Sequence, residues 1–287
     1  MMYYEVVICT TPFGWADHAA AAVLLLEYIG PENCQEGKMN VVFRHLRLAA
    51  VYLAVHTKSP SPLAKHNWMT VPFALRPKLP LDELIDLMLC LPAYQAACDD
   101  LLTSSTPPPY TPDDIAALRA GLEQLLVGLD KWAASYGGDV AGTIIPLSDP
   151  DLGVKVHRSE VAACVLSLHH MATTIPHHLL LTLGPADPGR HHAAIVRTCA
   201  ATLALARDEL ATGRADMGCV YLIFPVKVVG VCSLDEGQQR AARAILEGWA
   251  SRKAISGIFV NSITWVESTA VYNMQMLDHT LREESLD

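Results

Sequence analysis

The chain has 287 residues, 51% apolar and 18% charged, with a formal net charge of −9. That hydrophobicity excludes disorder as the main state, which needs a polar, highly charged chain. The longest apolar runs, 19–26 and 48–55, are eight residues each, and a membrane span needs roughly 18.

The acidic balance also speaks against a nucleic-acid binder, which carries a basic face or stripe. The densest basic cluster, Arg240, Arg243, Arg252 and Lys253, is broken by Glu247 and reads as a solvated helix face. The start, Met1-Met2-Tyr3-Tyr4-Glu5, lacks a basic stretch followed by an apolar one, so no signal peptide is expected. Eight cysteines at 9, 34, 90, 98, 164, 199, 219 and 232 form no C-x-x-C pair. They read as buried free thiols in a reducing compartment rather than a zinc site or a disulfide frame.

Apolar residues recur with a helical period through nearly the whole chain. The pattern predicts helices over 15–29, 39–58, 81–102, 112–136, 157–183, 190–211, 217–231, 236–255 and 258–282. Residues 5–10 are a short strand candidate. Asp17-His18 supplies a capping acid to an alanine-rich helix. Loops are expected at 60–80, 103–112 and 146–155. Asp82 and Glu83 follow Pro80-Leu81, where acids favour a helix N-terminus. Together with Asp86 they make a D-E-x-x-D pattern that could hold magnesium. No matching second motif faces it: Asn261-Ser-Ile-Thr-Trp-Val-Glu lacks the spacing, so the helix-start reading is preferred. Thr111-Pro112-Asp113-Asp114 is an N-cap, a first-turn proline and two acids, and Gly137-Gly138 stops the same helix. Residues 184–189 are a turn between two helices. Residues 221–231 read as a strand or as a buried helix. The expectation is one all-α domain over 1–287.

Histidines are the least expected content. His169-His170, His177-His178 and His191-His192 are pairs, and the first two flank Ile175-Pro176 on one apolar helix. Residues seven or eight apart share a helix face, so His170 lies near His177 or His178, with Thr174 between. Pro176 removes a helix hydrogen bond and bends the segment. The plain reading is half-buried histidines bonded to carbonyls or carboxylates. The functional reading is acid–base use of one of them. Ligand spacing for a metal is absent. His157 and Glu160 are three apart at the start of the same helix, as an exposed ion pair or as an oriented imidazole. The candidate catalytic residues are therefore His170, His177, His178, Glu160 and His157. No nucleophile elbow and no phosphate-binding glycine loop occurs, so no cofactor is expected.

Asn67-Trp68-Met69-Thr70-Val71-Pro72-Phe73 precedes Pro77-Lys78, the helix Leu81–Leu87, Leu91-Pro92 and Asp99-Asp100-Leu101. This order resembles the C-terminal regulatory region of fungal zinc-cluster transcription factors, with Asn67, Met69 and Phe73 in place of the usual Glu, Arg and Trp. Leu129-Asp130-Lys131-Trp132, the helix over 161–183 and Phe224-Pro225-Val226 extend the resemblance to about residues 40–265. It implies packed antiparallel helices. The family's six-cysteine, two-zinc DNA-binding module has no counterpart here, so direct DNA reading is not expected.

Two functions follow from the resemblance. In the first, the scaffold is reused as a cofactor-independent enzyme of cyclase, isomerase or pericyclase type, acting on an apolar secondary metabolite in a closed cavity. In the second, it is a non-catalytic ligand- or partner-binding transcriptional regulator without its own DNA-binding domain. The expected partner is an apolar small molecule, with a homodimer left open and neither nucleic acid nor membrane involved. The expected location is cytoplasmic, or nuclear for a regulator.

Overall fold

A computed structural model describes residues 14–103, 111–136, 158–212 and 216–251, with side chains described outside 158–161, 209–212 and 216–220. Every long element among them is a helix. In chain order they are α1 (Gly14–Ile29), α2 (Gly37–Thr57), α3 (His66–Thr70), α4 (Pro80–Thr103), α5 (Pro112–Tyr136), α6 (Arg158–Thr182), α7 (Pro188–Thr212), α8 (Asp216–Cys232) and α9 (Glu236–Ala250). The fold is all-α, as composition and period imply. The expected strand at 5–10, the loop at 146–155 and the helix at 258–282 lie outside the described residues.

Local chemistry explains most of the ends. Thr111 and Asp114 form a reciprocal capping box at α5: the Thr111 amide donates to Asp114 Oδ2 at 2.8 Å, and the Asp114 amide donates to Thr111 Oγ1 at 3.2 Å. Asp235 caps α9 by accepting from the Gln238 amide at 2.9 Å. The stretch expected to be a loop at 60–80 is more ordered than its prolines suggested. It holds α3 and two 3-10 turns, Pro62–Ala64 and Val71–Phe73. Ser61 caps the first turn, and Pro62 supplies the first-position proline that helical turns favour. Residues 221–231 form part of helix α8 and not a strand.

Helix direction follows from the residues that meet. Between α6 and α7, His177 meets His191 and Thr174 meets Thr198, so one index rises as the other falls: the pair is antiparallel. The same holds for α5 against α6, where Arg119 meets Leu183 and Leu129 meets His169. Helices α2 and α4 differ from the expected antiparallel packing. Arg44 meets Asp82, Arg47 meets Asp86 and Lys58 meets Asp99, so both indices rise together and the two helices run parallel. The 58–79 connection makes this possible, because its short turns carry the chain back along the length of α2.

Two apolar clusters form the interior. The larger joins α1, α2, α4, α5 and α6 around Phe43, Trp68, Leu84, Met88, Leu122 and Trp132. The smaller joins α7, α8 and α9 around Ile195, Leu222, Ile223, Leu246 and Trp249. Helix α8 serves both: Phe224 and Val228 enter the first, Val226 and Val229 the second.

Candidate functional site

Asp82 and Asp86, one turn apart on α4, are held by cations. Arg44 Nη1 lies 2.6 Å from Asp82 Oδ2, Arg47 bridges Asp82 and Asp86, and Lys78 pairs with Asp86. Asp82 Oδ2 also accepts from the Leu79 amide at 3.0 Å, as an acid at a helix start does. These carboxylates are saturated by side chains, in line with the helix-start reading.

The histidines of α6 take three different directions. His169 faces α5: its ring stacks on Trp132 at 5.3 Å and its Nε2–H donates to the Leu129 carbonyl at 3.1 Å. His178 faces the Cys232 backbone of α8, and its buried Nδ1 has no hydrogen-bond partner. His177 faces α7. His170 packs edge-on to His169 at 6.1 Å, and its buried Nδ1 has no hydrogen-bond partner. The structure therefore brings His169 beside His170 but does not gather His170, His177 and His178 at one spot. Glu160 lies in the first turn of α6, with its side chain outside the described region. His157 lies outside the described residues altogether.

The tightest arrangement is around His177. Its Nδ1 lies 2.8 Å from His191 Nδ1, and both rings are buried. Two facing imidazole nitrogens at this distance need one proton between them, so one ring donates and the other accepts. The other face of His191 settles which. Its Nε2 lies 3.6 Å from Glu123 Oε1, an electrostatic contact that favours a proton on Nε2. His191 then accepts at Nδ1, His177 donates from its own Nδ1, and His177 Nε2 is left as a basic lone pair. Glu123 is fixed in turn by Arg190 at 2.8 Å. About one turn back along α6 and two turns on along α7, Thr174 and Thr198 share a buried hydroxyl contact of 2.7 Å.

Burial decides the charge state. It pushes His177 down to about 4, with His191, Arg190 and Arg197 adding repulsion. His191 is also lowered by burial, opposed by Glu123. Both rings are neutral at pH 7. A proton arriving at His177 Nε2 can be passed through the shared Nδ1 contact to His191, where it is closest to the Glu123 carboxylate. The three groups form a chain of contacts from the α6–α7 interface to a half-exposed acid. His191 was visible in the sequence as half of a histidine pair. Glu123 carried no signal, being one acid among several on an amphipathic helix.

A cleft of about 350 Å³ opens between α4 and α5, lined by Glu83, Asp86, Gly128, Lys131, Trp132 and Tyr136 among others. His170, His177 and His178, the sequence candidates with described side chains, do not line it. Its Trp132 wall is the ring on which His169 stacks. Among the described residues no cluster of three or more His, Cys, Asp or Glu side chains is arranged to hold a metal, and no helix is long and apolar enough to cross a membrane. Compared with protein-family models, curated proteins and solved structures, the chain finds no match.

Proposed function

We propose that the chain is a cofactor-independent acid–base enzyme, of cyclase or isomerase type, acting on an apolar secondary metabolite. The proposal includes a helical scaffold of the kind in regulatory regions of fungal zinc-cluster transcription factors. The observation that carries the enzymatic reading is the Glu123–His191–His177 relay. Buried paired imidazoles backed by a carboxylate are a general way to move one proton without a cofactor. Glu123 positions and polarises His191, and His177 Nε2 is the group offered to a substrate proton.

The test is conversion of an apolar extract from the source cells by the purified chain, followed by mass spectrometry. His177→Gln is expected to lower turnover by roughly tenfold to ten-thousandfold, the usual range for a lost acid or base. Glu123→Gln is expected to lower kcat with little change in KM, and His192→Ala, on an exposed neighbour, to leave turnover intact. Undiminished turnover in His177→Gln removes the relay from the mechanism. No conversion by the wild-type chain removes the enzymatic reading.

One observation favours the second reading, a partner-binding regulator. Leu24, Leu25 and Tyr28 on α1 are 65%, 57% and 90% exposed and lie within about one turn of each other. Apolar side chains grouped in this way are the kind of surface a protein partner covers. Loss of partner capture on Leu24→Lys with Tyr28→Lys, with no turnover in the wild type, is the outcome that selects this reading.

A further inference from the structure

Glycines bring α4 and α5 close together at the cleft between them. A Cβ on Gly121 would come within 2.7 Å of Tyr94 Oη, and one on Gly128 within 3.0 Å of Leu87 Cδ2. Both distances are too tight for an ordinary Cβ contact, so the absence of a side chain is what lets the helices approach. Gly128 and Leu87 line the cleft together with Trp132. The indole is fixed on both counts: its Nε1–H donates to the Pro80 carbonyl at 2.7 Å, and its ring stacks on His169. An apolar wall set in advance needs no ordering when a ligand arrives.

Three charged side chains line the same cleft, Glu83 and Asp86 from α4 and Lys131 from α5. Asp86 is already neutralised by Arg47 and Lys78. Glu83 and Lys131 differ from it. They stand on facing helices at one cleft of about 350 Å³, yet neither makes an ion pair with the other or with any other described residue. The Tyr136 hydroxyl lies beside Glu83, whose carboxylate raises the Tyr136 pKa, so the hydroxyl keeps its proton facing the acid. Ser135 also lines the cleft, one turn on from Lys131.

These groups specify a ligand. A wholly apolar molecule would strip water from two charges with no partner in exchange. A molecule with a single charge would answer one of them and leave the other. A small molecule with an ammonium and a carboxylate answers both, and Leu87, Gly128 and Trp132 receive its apolar part. The cleft is near the lower end of ligand-pocket sizes, roughly 300–1,000 Å³, so the molecule is small.

We propose that the α4–α5 cleft binds a free α-amino acid with an apolar side chain, its ammonium on Glu83, its carboxylate on Lys131 and Ser135, and its side chain against Leu87, Gly128 and Trp132. Binding is non-covalent. The site is separate from the Glu123–His191–His177 chain and stands whether or not that chain is catalytic.

The probe is L-phenylalanine, titrated calorimetrically into the full wild-type chain at pH 7, where the ligand is a zwitterion. One site per chain with a Kd below about 1 mM is expected. Phenethylamine lacks the carboxylate and 3-phenylpropanoate lacks the ammonium. Each is expected to bind roughly threefold to fivefold more weakly, the scale of one half-exposed ion pair. L-Alanine, without the apolar part, is expected to bind at least about tenfold more weakly. Lys131→Gln is expected to weaken L-phenylalanine by the ion-pair factor and leave phenethylamine unchanged. Glu83→Gln is expected to weaken L-phenylalanine likewise and leave 3-phenylpropanoate unchanged. No saturation by L-phenylalanine below about 10 mM overturns the proposal. Equal affinity for the singly charged compounds overturns the zwitterion assignment, and equal affinity for L-alanine overturns the apolar side chain. Unchanged L-phenylalanine affinity in both variants overturns the placement in this cleft. The ligand series is read on the wild type, so it does not depend on a variant folding. Binding is measured without turnover, so failure of the enzymatic reading leaves it untouched.

Discussion

Arg47 has no solvent exposure, yet its guanidinium is shared between Asp82 and Asp86 and lies 5.0 Å from the Phe73 ring and 5.7 Å from Phe43. Burial lowers its pKa and the two aspartates raise it again. Removing it takes a buried partner from both carboxylates, although Asp82 keeps Arg44 and Asp86 keeps Lys78. Arg47→Ala is therefore expected to cost about 1.5–3 kcal/mol in urea unfolding, the range for lost hydrogen bonds to charged groups. His170 presents the opposite case. Its unpartnered Nδ1 gives nothing back for the desolvation that holds it at about 4. His170→Leu is expected to raise Tm, since an apolar side chain of similar size loses no hydrogen bond there. A lower Tm in that variant would show that the imidazole makes a stabilising contact. The role of Asp82 was legible, because an acid after Pro80 marks a helix start. Its partners Arg44 and Arg47 were not, because ion pairing across 38 and 35 positions leaves no local trace in sequence.

At the scale of elements, α8 and α9 show why some helices declare themselves and others do not. Helix α9 buries Ala242, Ile245, Leu246 and Trp249, spaced three and four apart, and exposes most of the rest. That one-sided pattern is what a period of 3.6 detects. Helix α8 is enclosed by both apolar clusters, so its sequence is apolar all round and periodicity cannot separate it from a buried strand. Helix α9 is also tied at its start. Asp235 caps it, Ser233 Oγ donates to Gln238 Oε1 at 2.6 Å, and Gln238 Nε2 donates to the Val196 carbonyl of α7 at 2.9 Å. Asp235→Ala is expected to lower stability by about 1 kcal/mol in denaturant unfolding. The α6–α7 seam is unusual in the other direction: Thr174, His177, His191, Thr198 and Thr202 are all buried polar residues along two facing helices. Paired hydroxyls and imidazoles fix which turn of α6 meets which turn of α7, as apolar packing alone would not.

For the whole molecule, the buried histidines set the response to acid. His56, His170 and His177 are each held at about 4 in the folded chain, against an ordinary value near 6.5. Between those values the unfolded chain binds more protons than the folded one. Stability is therefore full above about pH 6.5 and falls as pH drops toward about 4. Tm measured across that window is expected to decline, and more shallowly in His170→Leu than in the wild type; parallel curves would remove His170 from this effect. The sequence by itself determined the helical class, the amphipathic helices, the cap at Thr111 and the burial of four thiols, Cys34, Cys98, Cys199 and Cys232; Cys90 and Cys164, read the same way, are only half-buried. These are local properties, written in periodicity and in residues within a turn of each other. Only the tertiary structure decided that α2 and α4 run parallel, that the α6 histidines diverge to three helices, and that His177 meets His191 while His191 meets Glu123. It also set Lys227 over the Phe224 ring, which Trp15 of α1 and Tyr52 of α2 meet in turn. Such contacts depend on the rotation and register of helices far apart in the chain, and no local pattern encodes either.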